Sequence, residues 1–319
     1  MELKEICAAR GRVRHWIRET PMAYSPFLSE LCREGVWLKL ENLQLTGSFK
    51  IRGALNKLLQ LSEDARSRGV VTASSGNHAQ GVGYAARKLG IEAIIVVPEN
   101  TPEVKLEAIR RYGVELVVHG EEYMDAERLA RRKEMEDGKT FVSPYNDLDI
   151  IAGQGTVGLE MVEAQPDLDV IVVPVGGGGL ISGVGCAVKA TLSEVKVLGV
   201  QSVASPVMAE SIRQGHIVEM DLEESVAEGL HGGIEEGSVT FDLCKSLVDD
   251  FILVQEDTIM DAIRLLLMRQ HQIVEGAGAV GVAAIMEHSE RFHNRKIGVL
   301  ISGGNLDTEL LKEALGIHE

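Results

Sequence analysis

The chain has little of what marks a secreted, membrane-spanning or nucleic-acid-binding protein. Its four cysteines, Cys7, Cys32, Cys186 and Cys244, are scattered over 319 residues with no C-x-x-C pair. Such spacing suits neither a zinc site nor a disulfide framework and fits a reducing cytoplasm, so no metal site is expected. No stretch approaches the roughly 18 uninterrupted apolar residues of a membrane helix. The N-terminal segment MELKEICAARGRV is charged throughout, so an untargeted protein with no membrane partner is expected. Positive charge is also short: 32 Lys and Arg stand against 48 Asp and Glu, a net −16. A surface of that sign repels phosphate backbones, which argues against nucleic acid as a partner but leaves room for one local anion site. No linker of Pro, Gly and Ser and no fixed-period repeat divides the chain.

What is there is globular. Apolar residues make up 45% and charged residues 25%, and glycine, at 34, exceeds its usual share. Runs rich in Val and Ile at 71–75, 93–98, 114–120, 169–175, 195–202, 250–255 and 296–302 alternate with helical segments. They read as strands buried on both faces, the pattern of a mainly parallel sheet. One helix has Thr101 as N-cap, Pro102 at its first position and Gly113 past its end, and another opens at Asp257. The fold class is therefore α/β with doubly wound sheets, and the loop Ser143–Asn146 is the expected crossing point between two strand–helix series.

In open α/β sheets ligands bind at the carboxyl ends of strands. Four such junctions carry chemistry. In VVPVGGGGLISG, a strand ending at Val175 runs into Gly176, Gly177, Gly178 and Gly179 before a helix at Leu180. Four successive glycines let backbone N–H groups turn toward one anion, although a plain tight turn is the alternative. No Gly-Lys-Ser/Thr follows, so this is not a P-loop. In TGSFKIRGALNKLLQL, the stripe Ile51, Ala54, Leu55, Leu58 and Leu59 starts a helix near Ser48 and sets Lys50 in its first turn. The positive helix end pushes an ammonium toward the neutral, nucleophilic amine; the alternative is a solvated lysine. In VVTASSGNHAQG, Ser74, Ser75, Gly76, Asn77 and His78 stand at a helix N-terminus, an arrangement suited to a carboxylate, or else serve as caps. In VLISGGN, Ser302 ends a strand before Gly303, Gly304 and Asn305, where Asn305 can be a simple cap.

The segments GSFKIRGA, SSGNHAQG, VPVGGGGL and ISGGN, in this order, resemble the serine/threonine dehydratase and serine racemase group of fold-type II pyridoxal-phosphate enzymes, which are tryptophan synthase beta-like. AGQGT (152–156) and VEGAGA (274–279) extend the likeness over nearly the whole chain. The resemblance implies two doubly wound open-sheet domains, a larger cofactor-binding one from 1–61 and 148–319 with a smaller one, 62–147, inserted. It implies that Lys50 forms a Schiff base with pyridoxal phosphate and that Phe49 packs beside the ring. Asn77 would bond the ring hydroxyl, Gly176, Gly177, Gly178, Gly179 and Leu180 would hold the phosphate, and Ser302 would meet the pyridine nitrogen. Ser74, Ser75, Gly76, Asn77 and His78 would take the substrate carboxylate.

The activity so implied is β-elimination of water from L-threonine or L-serine, giving a 2-oxo acid and ammonia, in a cytoplasmic homodimer or homotetramer. Ser75 stands where racemases of this group place an acid–base serine, so racemisation is the nearest alternative. Dehydration of another hydroxy amino acid, such as 3-hydroxyaspartate, follows it, and a non-catalytic phosphometabolite-binding protein is a distant reading. Metal-responsive members use acidic residues after the strand at 195–202, where this chain has Gln201, Ser202 and Val207. Glu275 is either a partner of the ring or of Lys50, or a helix N-terminal carboxylate. Arg131, Arg132 and Lys133 could send one Arg toward the substrate carboxylate, but read first as a solvated helix face.

Overall fold

A computed structural model describes residues 1–317. Its strands are β1 (Met22–Tyr24), β2 (Val36–Leu40), β3 (Val70–Ala73), β4 (Ala93–Val97), β5 (Glu115–Val118), β6 (Thr140–Phe141), β7 (Val170–Pro174), β8 (Lys196–Ser202), β9 (Asp250–Val254) and β10 (Ile297–Ile301). Up to the second half of the chain the helices are α1 (Leu3–Val13), α2 (Pro26–Cys32), α3 (Lys50–Leu59), α4 (Glu63–Arg68), α5 (Asn77–Leu89), α6 (Glu103–Arg110), α7 (Tyr123–Asp137) and α8 (Leu148–Ala164). They continue with α9 (Gly179–Thr191), α10 (Val207–Gln214), α11 (Val239–Leu247), α12 (Glu256–Gln270), α13 (Gly276–Glu287) and α14 (Thr308–Ala314). Among the described residues no helix is long and apolar enough to cross a membrane.

The strands form two sheets, a six-stranded one in the order β1-β2-β10-β7-β8-β9 and a four-stranded one in the order β5-β4-β3-β6. Among the strands of the described residues only β1 pairs antiparallel, with β2; every other strand pairing is parallel. Every residue of β3, β4, β7 and β10 is buried, as continuous Val and Ile runs require when both faces are covered. Two of the expected strands differ. The segments 114–120 and 250–255 become the edge strands β5 and β9, where Glu115, Val118, Asp250 and Leu253 are exposed. An apolar run reports strand propensity, whereas cover depends on what packs against that edge. Helix starts also shift by one residue. Pro102 is the N-cap of α6 while the Thr101 hydroxyl donates to the Pro98 carbonyl, and α12 opens at Glu256.

Parallel pairing puts the ends of β7 and β10 at the same end of the larger sheet, and β3 ends a strand of the smaller one. Helix α8 packs closely against both α3 and α9. A Cβ at Gly183 would stand 2.4 Å from the Ile151 carbonyl oxygen, and one at Gly155 2.8 Å from the Gly183 carbonyl oxygen. Glycine therefore lets the α8 and α9 backbones touch, which draws the loops before both helices together.

Candidate active site

Helix α3 is stitched to the end of β10. The Phe49 N–H donates to the Ser302 carbonyl at 3.1 Å, Gly304 donates to Gly47 at 2.8 Å, and Ser48 pairs with Gly303 in an antiparallel bridge. Phe49 is the N-cap, so Lys50 is the first helical residue. The Phe49 side chain packs on the cluster holding Val175, Leu180 and Leu300, with the Lys50 amine 5.3 Å from its ring centre. Lys50 Nζ donates to the Pro144 carbonyl at 2.8 Å. Burial lowers this amine from 10.5 to about 8, opposed by the nearby Glu275 carboxylate. The direction expected from the sequence holds, but the leading cause is burial rather than the helix end.

Asn77, the first residue of α5, is fixed from both sides. Its Oδ1 accepts from Asn305 Nδ2 at 2.6 Å, and Asn305 Nδ2 also donates to the Thr46 carbonyl at 2.9 Å. Asn77 must therefore present its amide N–H the other way, and Nδ2 donates to Glu275 Oε1 at 2.6 Å. Glu275 is the N-cap residue of α13 without a capping side-chain bond. Burial raises its carboxyl to about 7, opposed by the Asn77 bond and by the Lys105 and Lys50 charges, while Glu228 adds to the rise. Both roles weighed for Glu275 thus meet in one residue, at a helix start and beside Lys50. Asn305 is not a cap, since Asp307 caps α14. Ser302 is buried, and its hydroxyl donates to the Ala277 carbonyl at 3.3 Å in the same α13 turn.

The glycine loop follows β7. Gly178 takes a left-handed φ of 84° as N-cap of α9, a conformation glycine adopts without steric cost. The N–H groups of residues 176–180 meet no protein acceptor among the described residues, as the start of a helix dictates. A Cβ at Gly177 would lie 2.5 Å from the Tyr145 ring and one at Gly179 3.0 Å from Tyr145 Cα. Tyr145 follows Pro144, so the loop that receives the Lys50 amine also packs on the glycines. Thr240 Oγ1 donates to the Gly177 carbonyl at 2.7 Å, and the Tyr145 hydroxyl accepts from the Glu235 N–H at 2.9 Å.

At the end of β3 the Ser74 hydroxyl accepts from the Gly76 N–H at 3.2 Å. Ser75 is partly buried, and a Cβ at Gly76 would meet nothing within 4 Å, so this turn borders open space. His78 is buried with Nε2 2.9 Å from the Val142 carbonyl and with Nδ1 unpartnered. Burial first, then the Lys50 charge, lowers the ring to about 3, so His78 is neutral. With its proton on Nε2 toward Val142, the ring offers a carboxylate no cationic donor; what position 78 can offer is its main-chain N–H. That narrows the expectation for this side chain.

The folded chain thus brings together Lys50, Phe49, Asn77, Gly176–Leu180 and Ser302, with Ser74–His78 adjoining through Asn77. Sequence reading named Pro144 and Tyr145 only as part of a crossing loop and missed their contacts with Lys50 and the glycines, Thr240, and the link from Asn305 to Asn77, contacts that span long separations and leave no periodic signal. Arg131 pairs with Glu127, Glu134 and Glu235 and lies over the Phe141 ring, 3.7 Å from its centre. A lysine of lowered basicity, a cradle of unpaired backbone N–H groups and a buried serine at a strand end fit a phosphate-bearing aldehyde cofactor, and these features define an enzyme that works through one.

Comparison with known proteins agrees. Residues 13–303 match the family described as pyridoxal-phosphate dependent enzyme, and the chain belongs to that family. It is 45% identical over 309 residues to L-threonine ammonia-lyase of Thermotoga maritima, covering 97% of this chain and 77% of that protein. Among solved structures, maize serine racemase matches with a TM-score of 0.93 and 35% identity, covering 99% of this chain and 97% of the other. A threonine deaminase from T.th. matches with a TM-score of 0.90 and 38% identity, covering 96% of this chain and 99% of the other. The fold is that of the fold-type II pyridoxal-phosphate enzymes.

Proposed function

We propose that this enzyme is a threonine/serine dehydratase, which removes water from L-threonine or L-serine and releases ammonia and the 2-oxo acid. The observation that carries the reading is Lys50, an amine whose basicity burial lowers to about 8, seated between the Pro144 carbonyl and the end of β10. The threonine ammonia-lyase and threonine deaminase likenesses support the substrate class.

Lys50 would hold the cofactor aldehyde, and the Gly176–Leu180 N–H groups its phosphate. Phe49 would flank the ring, Ser302 would face its nitrogen and Asn77 its hydroxyl. When bound, the cofactor supplies an electron sink for the substrate Cα. A serine hydroxyl is neutral, so it supports that sink less than a carboxylate would, which favours rapid loss of a β-substituent. The Lys50 amine, made less basic by burial, would be placed to take the Cα proton. The Ser74 and Ser75 hydroxyls and the N–H groups of Gly76, Asn77 and His78 would orient the substrate carboxylate at the start of α5. Residues 62–147 would form the smaller domain, inserted between 1–61 and 148–319; β3 to β6 all fall within it. A homodimer or homotetramer in the cytoplasm completes the reading.

Lys50→Ala is expected to abolish both the visible absorbance of the bound cofactor and turnover, and borohydride reduction followed by peptide mass spectrometry to label Lys50. Persistence of turnover in the variant would sink the reading. Serine racemisation is the second reading, favoured by the half-buried Ser75 beside open space and by the maize serine racemase likeness. Supplying L-serine and measuring 2-oxo acid against D-serine separates the two.

A further inference from the structure

Two residues beyond Lys50, Arg52 points to the opposite side of α3, since two helical steps turn about 200°. It is fully buried, and all its N–H groups are used. Nε and Nη2 grip the two oxygens of Glu41 at 2.8 Å each. Nη1 and Nη2 grip those of Glu160 at 2.5 and 2.8 Å, and Nη1 also reaches the Thr156 hydroxyl at 3.1 Å. Lys39 Nζ donates to Glu160 at 2.5 Å and to the Thr20 carbonyl at 2.6 Å, and the Thr20 hydroxyl donates to Glu41. Two cations and two carboxylates thus cancel. Burial disfavours the Glu41 charge, yet the Arg52 guanidinium outweighs it and holds the carboxyl below its ordinary range.

These partners come from the two bodies that enclose Lys50. Lys39 lies in β2 and Glu41 just after it, and β2 pairs with β10 through Leu40 and Ile301, next to Ser302. Thr156 and Glu160 lie in α8, which follows the loop presenting the Pro144 carbonyl. Buried ion pairs of this kind seldom surpass a well-packed apolar replacement in stability, but a double fork closes in only one register of three elements.

We propose that Arg52 is a positioning residue for Lys50: its buried cluster with Glu41, Glu160 and Lys39 fixes the first turn of α3 relative to the end of β10 and the Pro144 loop. The proposal rests on the reading that Lys50 carries the cofactor. Borohydride labelling of the wild-type holoenzyme tests that reading alone; a label on another residue rejects it without any Arg52 variant.

Arg52→Lys keeps the charge and loses the fork. In the folded holoenzyme kcat is expected to fall on the order of 10²-fold with KM changed less than about threefold, as for a displacement near 1 Å of a reacting group. The rate at which pyridoxal phosphate attaches to Lys50 in the cofactor-stripped full chain, read from its visible band, falls by about tenfold or more for the same reason. Glu160→Gln keeps shape and one acceptor, and moves both readouts in the same direction by about tenfold if Arg52→Lys fails to fold. The proposal is overturned if the folded variants lose only melting temperature while kcat and attachment rate match wild type, or if the change is confined to KM. It is equally overturned if neither variant folds, since the cluster then holds the fold rather than the lysine.

Discussion

Replacing Glu275 with Gln removes one buried charge while keeping an acceptor for Asn77 Nδ2, and its consequence can be worked from the site. Facing the carboxyl are Asn77 from α5 and the charges of Lys50, Lys105 and Glu228. Burial is the largest influence and raises the group from 4.5 to about 7 in the folded chain. Between those values the unfolded chain has released its proton and the folded chain has kept it. Stability contributed by the neutral acid is thus complete below pH 4.5 and is lost as pH rises through about 7. The loss amounts to about 3 kcal/mol, since each pH step across that window is worth about 1.4 kcal/mol. Gln has no such dependence. The difference between variant and wild type, which cancels the other titrating groups, should therefore grow in favour of the Glu275→Gln variant from pH 4.5 to 7.5. For 319 residues that is about 4–5 °C in melting temperature. The assay is a pair of thermal melts on the cofactor-stripped full chain at pH 4.5, 6 and 7.5. A difference that stays constant with pH would mean that Glu275 ionises normally in the folded chain.

Asn305→Ala removes the donor that orients Asn77 and leaves Asn77 Oδ1 and the Thr46 carbonyl unpaired; turnover is expected to drop about tenfold, from the 1–2 kcal/mol such a bond is worth, and steady-state kinetics check it. Gly177→Ala drives a Cβ to 2.5 Å from the Tyr145 ring, so cofactor affinity should fall with a stability loss of about 1–3 kcal/mol, read by cofactor titration and melting. Tyr145→Phe takes the acceptor from the Glu235 N–H and should cost about 1 kcal/mol while leaving the borohydride label on Lys50, which peptide mass spectrometry reads.

Much of the frame was legible because it is written in local pattern. The buried runs ending at Ala73, Pro174 and Ile301 and the amphipathic start at Lys50 each declare a strand end or helix start within a few residues. Edge and centre were not legible, since the Val-rich segment at 114–120 reads like its buried neighbours and only the sheet order exposes β5. The position of Lys50 could be read, but the cause of its lowered basicity could not, because burial is a property of the assembled α3, α8 and β10. Asn305 shows the same limit. Alone it reads as a cap, and its role emerges only when a residue 228 positions away supplies the carbonyl that it holds.

The acidity of the chain and its fit to a phosphate are compatible because the two depend on different groups. Cradle donors at Gly176–Leu180 are peptide N–H groups at the start of α9, which carry no formal charge and do not enter the net −16. Behind the lysine, Arg52 and Lys39 balance Glu41 and Glu160, so the cluster that registers α3 carries no net charge. What remains to act on Lys50 is burial and one carboxyl, Glu275, itself near half-ionised at neutral pH. A fully ionised carboxylate there would raise the basicity of the lysine further, and an apolar residue would leave Asn77 Nδ2 without an acceptor. A carboxyl on this helix N-cap meets both needs at once: Glu275 accepts from Asn77 Nδ2, which Asn305 orients, and its charge partly opposes the effect of burial on Lys50.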